Sequence, residues 1–119
     1  MKMIIAVIRP ERLAAVEDAL RAVLDEGDNF RLTTDTVQGH GRQEGQVEVY
    51  RGQELKPRLL TKIRITVCVN DPYVEKTIAA IISGGRSEPT GAVGDGKIFV
   101  VPLEEAVRIR TGERGAKAI

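Results

Sequence analysis

The chain has 119 residues and a mass of 13.0 kDa, and its 42% hydrophobic residues suffice for one core, so residues 1–119 are read as a single domain. Eighteen basic against 17 acidic residues leave a net charge of +1, and aromatics are 3% with no Trp, which excludes nucleic-acid binding by bulk charge or by a stacking platform. One Cys forbids an internal disulfide, one His beside it is a poor metal set, and no apolar run approaches the roughly 18 residues of a membrane span, so a cytoplasmic protein without membrane insertion is expected.

Met3 to Ile8 is almost wholly apolar and β-branched, and predicts a central strand. Pro10 suits the first turn of a helix, and Leu13, Val16, Leu20, Val23 and Leu24 then form one helical stripe between Glu11 and Asp25. Gly27 and its turn-forming neighbours end that helix. Leu32 to Val37 reads as the second strand. Gln38 to Leu60 is long, polar and glycine-punctuated, with alternation over Gln46–Tyr50 that predicts a mobile hairpin. Connections of this length in a small domain are commonly functional or disordered.

Lys62 to Val69 alternates at Ile63, Ile65, Val67 and Val69, a third strand that turns Cys68 to the opposite face. Asp71-Pro72 predicts a helix cap followed by Pro, with Val74, Ile78, Ile81 and Ile82 as the apolar stripe and Gly84-Gly85 as the stop. Residues 86–97 contain a glycine-rich loop, and Lys97 to Val101 is the fourth strand. Over the C-terminal segment, 103–119, the sequence predicts a short helical turn at Leu103–Val107 and then an extended Arg108–Gly112.

The order is β-α-β-(long loop)-β-α-β. It predicts an α+β fold, a ferredoxin-like βαββαβ sandwich: a four-stranded antiparallel sheet with two helices on one face and a long loop between strands two and three. The first strand is too apolar for a solvent-exposed sheet face, so an oligomer is expected.

Several segments carry candidate chemistry. Thr90-Gly91-Ala92-Val93-Gly94-Asp95-Gly96-Lys97 combines glycines, which let backbone N–H groups approach an anion, with a lysine able to act as a point charge. Ile98 follows where a P-loop needs Ser or Thr, and a strand follows where it needs a helix, so this is no P-loop NTPase. A plain turn between helix and strand accounts for the composition equally well. Arg108-x-Arg110 on an extended chain would present two guanidiniums on one face, matched to polyphosphate, or form a solvated charge pair. Gln43 and Lys62 would meet at the neck of the long loop if strands two and three are neighbours, and there suit a small carboxylate. Tyr50-Arg51 at the loop tip suits insertion into a partner protein, or a solvated hairpin. No activated nucleophile is apparent. Cys68 reads as a core thiol, and the chain is not expected to be an enzyme.

Five pieces in order resemble one family, the P-II nitrogen-regulatory signal proteins: Ile8-Arg9-Pro10, Gly39-x-Gly41-Arg42-Gln43-x-Gly45, Tyr50-Arg51-Gly52, Gly94-Asp95-Gly96-Lys97-Ile98-Phe99-Val100, and Arg108-Ile109-Arg110-Thr111-Gly112-Glu113. The resemblance implies a homotrimer with a nucleotide cleft between subunits. It implies competition of ATP with ADP, and binding of 2-oxoglutarate with Mg-ATP. Gly94, Asp95, Gly96, Lys97, Arg108 and Arg110 would hold the phosphates. Thr33, Thr90 and Gly91 would lie near the nucleoside, and Gly41 and Lys62 would also touch the nucleotide. Arg9, Gln43, Lys62 and Gly94 would form the 2-oxoglutarate site, with Gln43 at the Mg2+ carried by ATP. The long loop, residues 38–60, would read this state out through Tyr50 and Arg51 to an ammonium or other membrane transporter and to enzymes or kinases of nitrogen metabolism. A sensor of another effector, such as bicarbonate, serving a different transporter is the alternative.

The chain also departs from the common pattern. Leu55 stands at the position of the modifiable Tyr and Gln53 at that of a phosphorylated Ser. Glu44 replaces a Lys after the effector Gln, Thr66 an acid that contacts adenine, and Ala92 a Lys of the phosphate loop. Extra residues fall near Asp25–Phe30 and Arg86–Pro89.

Overall fold

The structure is a computed structural model and describes residues 1–24, 31–40, 49–50, 53–54 and 59–119. The elements are β1 (Lys2–Ile8), α1 (Leu13–Val23), β2 (Leu32–His40), β3 (Val49–Tyr50), β4 (Gln53–Glu54), β5 (Leu59–Val69), α2 (Val74–Gly85) and β6 (Gly96–Pro102). Short 3-10 turns at Pro10–Arg12 and Asp71–Tyr73 lead into the two helices. Four strands form one antiparallel sheet in the order β2-β5-β1-β6, and β3 pairs with β4 separately. This is the ferredoxin-like α+β architecture expected from the order of elements.

Strand alternation decides which residues meet the helices. Ile4, Ala6 and Ile8 of β1 and Ile65, Val67 and Val69 of β5 are buried against Val16, Leu20 and Leu24 of the first helical segment and Ala80 and Ile81 of α2. Burying an aliphatic side chain of this kind contributes about 1.5–3 kcal/mol. The stripe on α1 is the expected one. On α2 the buried face runs instead through Thr77, Ala80, Ile81 and Gly84, while Ile82 is 41% exposed. The reason is close packing: a Cβ on Gly84 would lie 2.6 Å from Val16 Cα, so the two helices touch backbone to backbone along that line. Arg12 Nε donates to the Gly84 carbonyl over 2.8 Å and satisfies one of the last carbonyls of α2.

Four expectations are corrected. The second strand continues to His40 and the third begins at Leu59, because Gln38, Gly39 and His40 pair with Thr61, Leu60 and Leu59 and lengthen the sheet at the base of the long loop. Asp71 is not a helix cap. Its carboxylate accepts from the Met1 ammonium at 2.8 Å, and Asn70 takes the cap position with no side-chain bond. Leu103–Val107 forms no helical turn: Leu103 N donates to Met1 O, and Val107 pairs with Arg114. Cys68 does face away from the helices, as expected, but that places it half-buried on the open sheet face rather than in the core, where burial pushes its thiol pKa up.

That open face carries Met3, Ile5 and Val7 of β1, in register with Val101, Phe99 and Lys97 of β6. Phe99 is 51% exposed and Val101 38% exposed.

Candidate functional site

The loop from Arg86 to Gly96 joins α2 to β6 and is held at the Arg9 end of β1. Gly91, Gly94 and Gly96 have positive φ. At Gly96 the need for glycine is absolute, since φ is +114° and a Cβ would come within 1.7 Å of the Val7 carbonyl oxygen. Absence of a side chain therefore lets β6 begin in register with β1, with Gly96 opposite Ile8 and Lys97 opposite Val7.

Asp95 organises the loop. Its Oδ1 accepts from Arg9 Nε at 3.0 Å and Ser87 Oγ at 2.5 Å. Its Oδ2 accepts from Ser87 N at 3.0 Å and Ala92 N at 2.9 Å. Burial alone would raise the carboxyl pKa, but the hydrogen bonds from Ser87, Ala92 and Arg9 outweigh it and hold the group far below the usual carboxylate range. Gly91 N also donates to Ser87 O over 2.7 Å, closing the loop upon itself.

Two cations grip the carbonyls that follow. Arg9 donates to Val93 O at 2.8 Å, and Lys62 Nζ donates to Gly94 O at 2.6 Å. A trans peptide opposes its C=O and N–H, so the Gly94 N–H points away from Arg9. Lys62 is 8% exposed. Burial lowers its pKa, the neighbouring Arg9 lowers it further, and Glu11 and Asp95 raise it. Among the described residues its ammonium has one hydrogen-bond acceptor, Gly94 O, for three N–H donors. A cleft of about 360 Å³ opens beside the loop between α2 and β6, walled by Ile78, Ile82 and Ile98 and edged by Arg86, Asp95 and Lys97.

The expected site residues therefore separate into groups. Arg9, Lys62, Gly94, Asp95, Gly96 and Lys97 are brought together, with Thr90 and Gly91 on the same loop. Thr33 lies apart, on the open sheet face, donating to the Thr66 carbonyl at 3.4 Å. Arg108 and Arg110 sit at the other end of β1: Asn70 donates to Ala116 O and Leu103 N to Met1 O. The length of β1 separates the two ends, on the order of 20 Å at about 3.3 Å per residue. Contrary to the expected extended chain, the pair lies on a tight turn, since Gly112 N donates to Arg108 O over 2.7 Å. Arg108 turns back to the Lys117 carbonyl at 3.0 Å, and Arg110 is exposed. Gly41, Gln43, Glu44, Arg51 and Leu55 lie outside the described residues, and of Tyr50 and Gln53 only the backbone pairing is described.

Comparison with known proteins finds related sequences along the length of the chain. The family model for nitrogen regulatory protein P-II matches residues 1–113. The chain belongs to the P-II family. It is 49% identical over 119 residues to nitrogen regulatory protein GlnK1 of Methanosarcina mazei, covering all of this chain and 97% of the relative. It is 46% identical to nitrogen regulatory protein P-II of Azospirillum brasilense, with both chains covered in full. Nitrogen regulatory protein P-II 2 of Methanothermobacter thermautotrophicus is 45% identical over 119 residues. P-II proteins are regulators of nitrogen metabolism, signal-transduction proteins rather than enzymes, that bind small effectors and act on partner proteins.

Within this P-II chain, the residue that sequence reasoning passed over is Ser87, which supplies two of the four bonds to Asp95. It sits eight positions before its partner, in a segment read as extra length, and no periodic pattern marks it. The role of the Val93 and Gly94 carbonyls also has no sequence signal, because backbone groups are the same in every residue. No helix among the described residues is long and apolar enough to cross a membrane.

Proposed function

We propose that the chain is a trimeric sensor of ATP and ADP, responsive to 2-oxoglutarate, that acts on nitrogen-metabolism partners and a membrane transporter through the segment between β2 and β5. One observation carries the proposal: the Gly94–Lys97 loop and the Arg108–Arg110 pair stand at opposite ends of β1, so a single chain cannot close them around one phosphate group. A neighbouring copy can bring its C-terminal segment to the loop. The open apolar sheet face, with Phe99 half exposed, supplies the surface for that contact.

The partial shell of Lys62 supports an effector site beside the loop. A buried ammonium with one acceptor gains from a carboxylate, and Arg9 stands close enough to lower its pKa. The Gly94 N–H and Gln43 would complete that site. Mg2+ would arrive on the ATP phosphates, with Gln43 beside it. When bound, the ion would neutralise phosphate charge next to the effector.

The test is subunit mixing. Lys97→Ala and Arg108→Ala should each weaken ATP binding by about 1.5–3 kcal/mol, as for charge-assisted hydrogen bonds. If the site is shared between chains, co-refolding the two variants restores roughly a quarter of the sites by random pairing. Light scattering should give three times 13.0 kDa. A monomeric mass, or no recovery on mixing, would end the shared-site reading. Titration of 2-oxoglutarate against bicarbonate, with Mg-ATP present, identifies the effector. Arg51→Ala should keep nucleotide affinity and lose capture of an ammonium transporter in membranes.

A further inference from the structure

Asp95 poses a problem for a loop that takes phosphate. It lies two residues from Lys97, where a free carboxylate would repel the ligand. Yet it is no free carboxylate: its side chain is only 20% exposed, and it accepts four hydrogen bonds, all from its own chain. A carboxylate offers about four lone-pair sites, so little remains for a ligand or a metal ion. The donors come from three separate places: Arg9 at the end of β1, Ser87 at the start of the loop, and Ala92 in its middle.

We propose that Asp95 is the positioning residue of the phosphate loop, with Ser87 and Arg9 as its partners, and that its carboxylate acts without touching the nucleotide. The proposal rests on the reading that this loop takes nucleotide phosphate. Three connections meet on one side chain, so the loop is ordered before ligand arrives and the ordering entropy is not charged to binding. The Arg9 guanidinium offsets the negative charge and uses its other arm on Val93 O, which turns the following N–H outward. Among the described residues the Ser87 hydroxyl has no other partner, so its side chain serves this contact.

The experiment uses the full chain and three variants, Asp95→Asn, Ser87→Ala and the double variant, with ATP titrated in the presence and absence of Mg2+. Asp95→Asn should weaken ATP roughly tenfold, by the same factor with and without Mg2+, because what is lost is loop order. Ser87→Ala should weaken it several-fold, Ser87→Thr should recover it, and the double variant should bind no worse than Asp95→Asn alone. Unchanged or tighter binding by Asp95→Asn overturns the proposal, since removing a merely adjacent charge helps a phosphate. Loss confined to Mg2+ makes Asp95 a metal ligand, and additive losses make the two residues independent contacts. Either result also overturns it. Should Asp95→Asn fail to fold, the Ser87→Ala and Ser87→Thr pair carries the same test.

Hydrogen exchange at Gly91, Ala92 and Asp95 without ligand separates this from the parent reading. Faster exchange in Ser87→Ala and Asp95→Asn supports the fastening even if wild type binds no ATP, and unchanged exchange sinks it.

Discussion

The two ends of β1 are built on opposite plans. At the Arg9 end, charged and polar side chains turn inward onto one loop, and Asp95, Lys62 and Arg9 find partners within the chain. At the Met1 end, backbone bonds share the holding with a few exposed side chains: Arg108 N to Glu113 O, Gly112 N to Arg108 O and Gly115 N to Ala106 O, beside the side-chain bonds of Asn70 to Ala116 O and Arg108 to Lys117 O. Several side chains there are open to solvent, with Ile109 fully exposed and Val107 49% exposed. One end fastens its loop with its own side chains, and the other presents apolar and cationic groups at its surface. An end satisfied internally resists substitution at its backbone. An end that is a turn held by a few exposed bonds tolerates it.

The contrast is sharpest at two glycines of positive φ. Gly96→Ala should cost about 3–5 kcal/mol in urea unfolding, from backbone strain together with a clash that must shift β1 or β6. A cost below about 1 kcal/mol would show that the loop end is looser than its contacts imply.

Acid should act next, and unevenly. The Asp95 carboxyl pKa is depressed in the folded chain, so its contribution is fully present above the ordinary carboxylate pKa near 3.8 and is lost as pH falls below it. Stability should therefore fall steeply below that point, and Asp95→Asn, already weakened at neutral pH, should show a flatter acid limb. At the other end Asp71 is also depressed, through its hydrogen bond to the Met1 ammonium and the charge of Lys2, but it is exposed to water. Asp71→Asn should change the acid limb far less, and equal slopes for the two variants would erase the distinction.

Smallest is Gly112→Ala. Its φ is +72° but nothing lies within 4 Å of an added Cβ, so only conformational preference is lost, about 1 kcal/mol. A cost matching that of Gly96→Ala would mean the C-terminal turn is as tightly built as the loop.

Much of the fold was legible because its determinants are local. Alternation at Ile63, Ile65, Val67 and Val69, and the stripe from Leu13 to Leu24, express the periods of strand and helix directly, and those residues are where the core lies. The loop glycines ahead of Lys97 were legible too, since only glycine is free of the constraint they meet. What failed were assignments in which a distant group competed. Asp71 looked like a cap, but the chain terminus reaches it first. Leu103 looked like the start of a helical turn, but the Met1 carbonyl extends the β1–β6 ladder by one more bond. Gln38 to His40 looked like loop, because their polarity hides a pairing supplied by Leu59 to Thr61.

By itself the sequence determined the order and periodicity of the elements, the glycine positions and the charges available for a phosphate site. Only the tertiary structure decided that Lys97 and Arg108 stand at opposite ends of one strand, and that Ser87 and Arg9 converge on Asp95. The physical reason is range. Periodicity and backbone sterics act between residues a few positions apart, whereas the bonds from Ser87 and Arg9 to Asp95 join residues 8 and 86 positions distant, which the folded loop and the pairing of β1 with β6 bring within 3.0 Å.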